Sequence, residues 1–223
     1  DEFLKKAQAR GTMTAGEQQR LRRSTEKTTG ETQSDLSRMP LTRLASFILS
    51  MPVDERRQRL DELDKAMQRA TDRALGRLEG RLPALGSTSL VLDNSRSSAG
   101  SFEKRQRPLA VAIAVSYVAE RLASTVHIRW TSEPEHRLLV QPGGQTDLAS
   151  PLLGALADEP ATILIVSDGF DNAPAGAASE VLRVFRTRLD PERQLSLIHF
   201  NPVFDAEDYA PRSLCSLVPT LGL

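Results

Sequence analysis

Apolar and polar positions along the chain fall into two regimes. Over residues 1–84 the apolar residues recur at helical spacing among many charged ones, whereas over residues 85–223 short unbroken apolar runs alternate with longer amphipathic stretches. In the first regime Phe3 to Arg23 predicts two short helices parted at Gly11, with Thr14 to Glu17 resembling a capping box. Ser24 to Ser37 is rich in Thr, Ser and Glu and predicts a mobile loop. Pro40 to Met51 carries Leu41, Leu44, Ala45, Phe47, Ile48 and Leu49 at helical spacing, and Pro52 stops it. Val53 to Leu78 predicts the longest helix, with Leu60, Leu63, Met67, Ala70, Ala74 and Leu78 on one stripe. Gly80, Pro83 and Gly86 mark the junction to the second regime.

The second regime reads as a sheet domain. Leu90, Val91 and Leu92 form a strand-length apolar run of the kind buried on both faces in a parallel sheet. Arg107 to Ala123 predicts a buried crossover helix, and Thr125 to Thr131 a strand with His127 and Arg129 on one face and Val126, Ile128 and Trp130 on the other. Arg137 to Gln141 predicts a short antiparallel edge strand, Leu148 to Asp158 a helix and Thr162 to Ser167 another buried strand. Ala177 to Leu189 predicts a helix and Leu195 to Phe200 the last strand. This alternation predicts an α/β, doubly wound, mostly parallel, Rossmann-like fold over 85–223, preceded by an α-helical segment over 1–84.

Composition narrows the class. Of the 223 residues, 39% are hydrophobic and 26% charged, as in globular proteins, and no apolar run reaches the length of a membrane span. A single cysteine, Cys215, excludes an internal disulfide, reads as a small core residue and leans toward a reducing, cytoplasmic setting. The chain begins Asp-Glu-Phe without Met, as a fragment or processed piece would. Formal net charge is zero, yet the first 88 residues carry 17 Lys and Arg against 13 Asp and Glu, and the rest 12 against 16. That imbalance would suit RNA or an acidic partner, and a solvated helix laced with opposite charges explains it equally. Aromatic content of 4% leaves few platforms for stacking on single-stranded bases.

The candidate chemistry lies where strands end. After Leu92, Asp93, Ser95 and Ser97 follow at every second position, so one carboxylate and two hydroxyls can converge, a hard-oxygen set suited to Mg²⁺, Mn²⁺ or Ca²⁺ rather than zinc. Gly143-Gly144-Gln145-Thr146 delivers a further hydroxyl, and the buried strand after Thr162 ends in Asp168. Open α/β sheets bind ligands outside the carboxyl ends of their strands.

The combined pattern D-x-S-x-S, then T, then D resembles the metal-ion-dependent adhesion site of von Willebrand factor A-type domains. That resemblance implies a shell of Asp93, Ser95, Ser97, Thr146 and Asp168, with the serines binding directly and the aspartates partly through water. It also implies that a protein partner supplies an Asp or Glu to the ion, and that no residue need break a bond. Arg96 stands where the family often has Gly, and the chain reaches Leu223 without the closing helix usual in such domains. The helical segment joined to this domain, with the tail from His199 to Asp205, is similar to the C-terminal half of the Ro family of TROVE-domain RNA-binding proteins and its bacterial relatives. That likeness places the RNA-binding ring upstream and assigns RNA to no residue here.

Two other classes stand beside a cation-dependent interaction module. One is a Mg²⁺-dependent phosphoryl-transfer enzyme, although Ser95 occupies the position where a haloacid dehalogenase-type site wants a second carboxylate. No G-x-S-x-G elbow is present, and His127, His136 and His199 are scattered and read as exposed or core-edge residues, so the chain is not read as an enzyme. The other is an RNA-binding helical module acting through arginine-phosphate contacts.

Overall fold

A computed structural model describes residues 36, 39–78, 82, 84–101, 105–203 and 211–223. The helices expected over Phe3 to Arg23 lie outside the described residues, as does all of the loop expected over Ser24 to Ser37 except Leu36. The chain divides into two compact units, Asp1–Arg81 and Leu82–Leu223.

In the first unit α1 spans Leu41–Leu49, α2 Val53–Gln58 and α3 Leu60–Gly76. The single helix expected over Val53 to Leu78 is interrupted at Arg59, whose backbone (φ −110°, ψ 17°) leaves the helical region. Arg59 is held there by Glu62 at 2.7 Å and Glu55 at 3.4 Å. Leu44, Ala45 and Ile48 of α1 and Leu63, Met67 and Ala70 of α3 are buried, so the apolar stripes of these two packed helices make the unit's core. Among the described residues no helix is long and apolar enough to cross a membrane.

The second unit is an α/β, doubly wound domain. Its strands are β1 Ser87–Leu92, β2 Thr125–Trp130, β3 Thr162–Val166, β4 Ser196–Asn201 and β5 Thr220–Gly222, all parallel, in the order β2-β1-β3-β4-β5. The helices are α4 Arg107–Leu122, α5 Ala149–Ala157 and α6 Ala177–Val184. Leu90 pairs with Ile128 on one side and Leu164 on the other, which makes β1 central and explains why its apolar run is unbroken. Val91, Ile163, Ile165 and Leu197 form one core layer with Leu152 of α5 and Leu182 of α6. Leu90, Leu92, Leu164 and Val166 point to the opposite face, where α4 lies against β1 and β2.

Three elements differ from expectation. The edge strand expected over Arg137 to Gln141 is a turn, closed by the Leu139 amide donating to the His136 carbonyl at 2.8 Å. Its apolar residues do not alternate: Leu138, Leu139 and Val140 are all buried. Arg137 pins the turn to α4, with its guanidinium 3.6 Å from the Tyr117 ring centroid and paired to Glu120 at 2.8 Å. The edge position is taken instead by β5, a three-residue parallel strand on β4 that was not expected. The helix expected over Ala177 to Leu189 is α-helical only to Val184, then widens into a π-turn over Phe185–Leu189. A buried Arg186–Asp190 ion pair sits at its end.

Because all three apolar residues of the turn are buried, Leu138→Ala and Leu139→Ala should each cost about 2–5 kcal/mol in urea unfolding followed by the fluorescence of Trp130. An alternating edge strand would spare one of the two.

Candidate metal centre

The sheet order changes direction at β1: the chain proceeds from β1 outward to β2, then returns to place β3 on the other side. The crevice at such a switch point lies between the carboxyl ends of β1 and β3. Asp93 follows β1 directly, and its amide donates to the Val166 carbonyl at 3.0 Å, carrying the ladder one step past the strand. Asp168 follows β3 by two residues. The two carboxylates line one cleft together with Ser98, Pro108, Ser167 and Pro202.

Asp93 is only 4% exposed. Its Oδ1 accepts from the Ser95 amide at 2.8 Å and from the Thr131 hydroxyl at 3.4 Å. This short turn folds Ser95 back beneath the carboxylate. The chain then enters a 3₁₀ turn over Arg96–Ala99, and the Ser95 and Ser97 hydroxyls meet at 3.0 Å. Ser95 is buried and Ser97 exposed, so the pair runs from the interior to the surface.

Thr146 is brought in by backbone contacts. The Gly143 amide donates to the Asn94 carbonyl at 2.9 Å and the Arg96 amide to the Gly144 carbonyl at 3.2 Å, which ties the glycine turn to the serine loop. On its other side Thr146 donates its amide to Asn172 Oδ1 at 3.0 Å, and its carbonyl accepts from the Asn172 and Ala173 amides. The residue is 3% exposed, yet its hydroxyl has no hydrogen-bond partner among the described residues. The Asp168 carboxylate receives one bond, from the Phe170 amide at 3.0 Å. Gly169 between them has φ +81°, and a Cβ there would come within 2.9 Å of the Arg212 carbonyl, so only glycine fits.

The residues that hold this arrangement are asparagines that motif reading passed over. Asn94 donates its Nδ2 to the Ser132 carbonyl at 2.8 Å, and its Oδ1 accepts from Thr131 and Ser132, so β2's end is bound to β1's loop. Asn201 is 1% exposed and donates Nδ2 to both the Asp168 and Arg212 carbonyls at 3.0 Å. The only signal in the sequence is that each asparagine lies beside a strand end, where short amide side chains bond local backbone.

Among the described residues no group of three or more His, Cys, Asp or Glu gathers as a metal site. The candidate set is of another kind, two carboxylates and three hydroxyls, and it suits hard cations alone. His199, expected at the surface or core edge, is fully buried. Its Nε2 meets the Ser167 hydroxyl at 3.0 Å and its Nδ1 the Thr220 hydroxyl at 3.1 Å. No carboxylate orients this ring among the described residues, and Ser167 is itself buried, so the pair is a structural link between β3 and β5.

No protein-family model matches the chain, and no curated protein matches it. Fold and loop geometry alone define its class, a doubly wound α/β domain with two carboxylates, Asp93 and Asp168, lining a cleft at its switch point.

Electrostatics of the cleft give a pH signature. Asp93 is pushed up from 3.8 to about 6, mainly by burial, with the Asp168 charge adding to the shift and the Ser95 and Thr131 hydrogen bonds opposing it. Burial pulls His199 down from 6.5 to about 4. Between about pH 4 and 6 the folded chain keeps a proton on Asp93 that the unfolded chain has released, so this group makes stability fall as pH rises. Below about 6.5 the unfolded chain protonates His199 where the folded chain does not, so this group makes stability rise with pH over nearly the same interval. Each swing is on the order of 3 kcal/mol, and the two oppose. In EDTA, urea midpoints of the wild type should therefore change little across that interval. Asp93→Asn should show the rising His199 slope alone and should be the more stable protein at pH 7.5.

Proposed function

We propose that the second unit is a divalent-cation-dependent protein-interaction module. In this reading Asp93, Ser95, Ser97, Thr146 and Asp168 hold Mg²⁺, or Mn²⁺ or Ca²⁺, and an Asp or Glu of a protein partner completes the shell. When bound, the cation would offset the charge of the two aspartates and offer a coordination position that a partner's carboxylate oxygen could fill. The observation that carries the reading is the donor set itself. The ends of β1 and β3 bring the Asp93 and Asp168 carboxylates to one cleft, and nearby Thr146, 3% exposed as a residue, keeps a hydroxyl with no hydrogen-bond partner among the described residues.

The Ser95 and Ser97 hydroxyls are hydrogen-bonded to each other at 3.0 Å, which keeps two of these oxygens side by side. The motif also resembles the adhesion site of von Willebrand factor A-type domains, in which a partner's acid completes the coordination. Asp93 and Asp168 compensate the charge of one dication, which leaves a neutral centre when both are ionised, and three neutral hydroxyls leave the ion short of anionic oxygen if the aspartates act through water. An incoming carboxylate meets that need. The single buried Cys215 accords with a reducing, cytoplasmic setting.

Thr146→Ala removes a hydroxyl that has no partner among the described residues together with a buried methyl, so in EDTA it should destabilise by only about 1 kcal/mol in urea unfolding. In isothermal titration calorimetry with Mg²⁺ and Mn²⁺, the same variant should bind at least about tenfold more weakly, a loss of about 1.4 kcal/mol. Asp93→Ala should give no heat. Equal heats for wild type and both variants would remove the cation from this site.

A further inference from the structure

Phe170 stands two residues beyond Asp168 and is 50% exposed. A lone exposed aromatic needs no explanation by itself. This one is distinguished by how firmly it is tied to the candidate centre. Its amide donates to Asp168 Oδ1 at 3.0 Å, so the ring's attachment point is fixed to the carboxylate. Asn201, buried beneath, holds the Asp168 and Arg212 carbonyls on the same Nδ2. The Arg212 guanidinium lies 4.2 Å from the centroid of the Phe170 ring, a cation–π stack that orients the ring while leaving half of the residue open. Gly169 admits this close approach because it has no Cβ to strike the Arg212 backbone.

The result is a rigid apolar lip beside the cleft, bearing a guanidinium, with Arg96 exposed in the serine loop of the same centre. A partner segment that brings a carboxylate to Asp168 comes within two residues of this ring, and the exposed Arg96 favours a segment of negative charge. We propose that Phe170, backed by Arg212, is the apolar anchor of the partner site, and that the partner is an acidic segment with an aromatic or large aliphatic side chain next to its coordinating carboxylate. The inference rests on the cation-dependent reading above. It adds a specificity element: the acid supplies dependence on the cation, and the neighbouring apolar residue selects among acids. Pre-orientation of the ring by Asp168, Asn201 and Arg212 lowers the entropy lost on contact, as expected of an aromatic anchor.

The test is selection of a random-peptide phage library on the immobilised full chain in Mg²⁺ with elution by EDTA. Synthetic peptides of the enriched sequence are then titrated by fluorescence anisotropy against wild type, Phe170→Ala, Phe170→Leu and Thr146→Ala. The enriched peptides should carry Asp or Glu beside an aromatic or large aliphatic residue. Changing that peptide residue to Ala should weaken binding to the wild type about tenfold and leave binding to Phe170→Ala unchanged, with Phe170→Leu between the two. Thr146→Ala should lose peptides of both kinds. Mg²⁺-dependent peptides that bind Phe170→Ala as well as wild type, or that show the same loss from the peptide's Ala change in both proteins, would overturn the anchor and leave the cation site standing. A selection that yields no EDTA-sensitive peptide would overturn the cation reading and the anchor together.

Discussion

Two carboxylates are buried at the ends of neighbouring strands, and the surrounding loops are arranged around that fact. Asp93 and Asp168 are 4% and 8% exposed and line one cleft, where the Asp168 charge adds to the rise of the Asp93 carboxyl. Burying a carboxylate is costly unless hydrogen bonds or a counter-charge meet it. The Ser95 amide and Thr131 hydroxyl meet Asp93 only in part, and a single amide meets Asp168. No arginine or lysine is paired with either among the described residues. The compensation visible in the structure is a proton on Asp93, whose carboxyl burial pushes up to about 6.

The scaffold that sustains this tension is rigid. Asn94 fastens β1's loop to β2's end, the Gly143-Gly144 turn is bonded to that loop, and Asn172 clasps Thr146 from the β3 side. Asn201 closes the ring from β4. Each clamp uses side-chain amides or main-chain groups, which hold position without adding charge.

Much of the fold was legible because β1 and β3 sit in the sheet interior, where burial on both faces forces unbroken runs such as Leu90 to Leu92. The turn at Arg137 was misread because Leu138, Leu139 and Val140 form an apolar run of strand length, and only the grip of Arg137 on Tyr117 and Glu120 shows that it packs as a turn. β5 escaped because three residues after Pro219, paired on one side, carry no periodicity. The interruption at Arg59 left no mark in the apolar stripe, because its pairs with Glu55 and Glu62 have the i,i+4 and i,i+3 spacing that an unbroken helix also presents. At the switch point, Asp93 and Asp168 could be picked from their strand-end contexts, and both line one cleft. Asn94, Asn201 and Phe170 could not, because their roles depend on partners distant in sequence, such as Ser132, Arg212 and the Asp168 backbone.

The switch-point placement has a consequence for how the unit reports its own integrity. The oxygen donors come from the ends of β1 and β3 and from the turn before α5, and none of these three is sequentially adjacent to another. No single hairpin or helix can preassemble them, so a partly folded chain lacks the set entirely. A ligand that needs all five oxygens at once therefore binds only the finished sheet, and through mass action it stabilises that sheet as a whole rather than the loops it touches. A ligand held across these loops would therefore report on the completed sheet, not on any one of its elements.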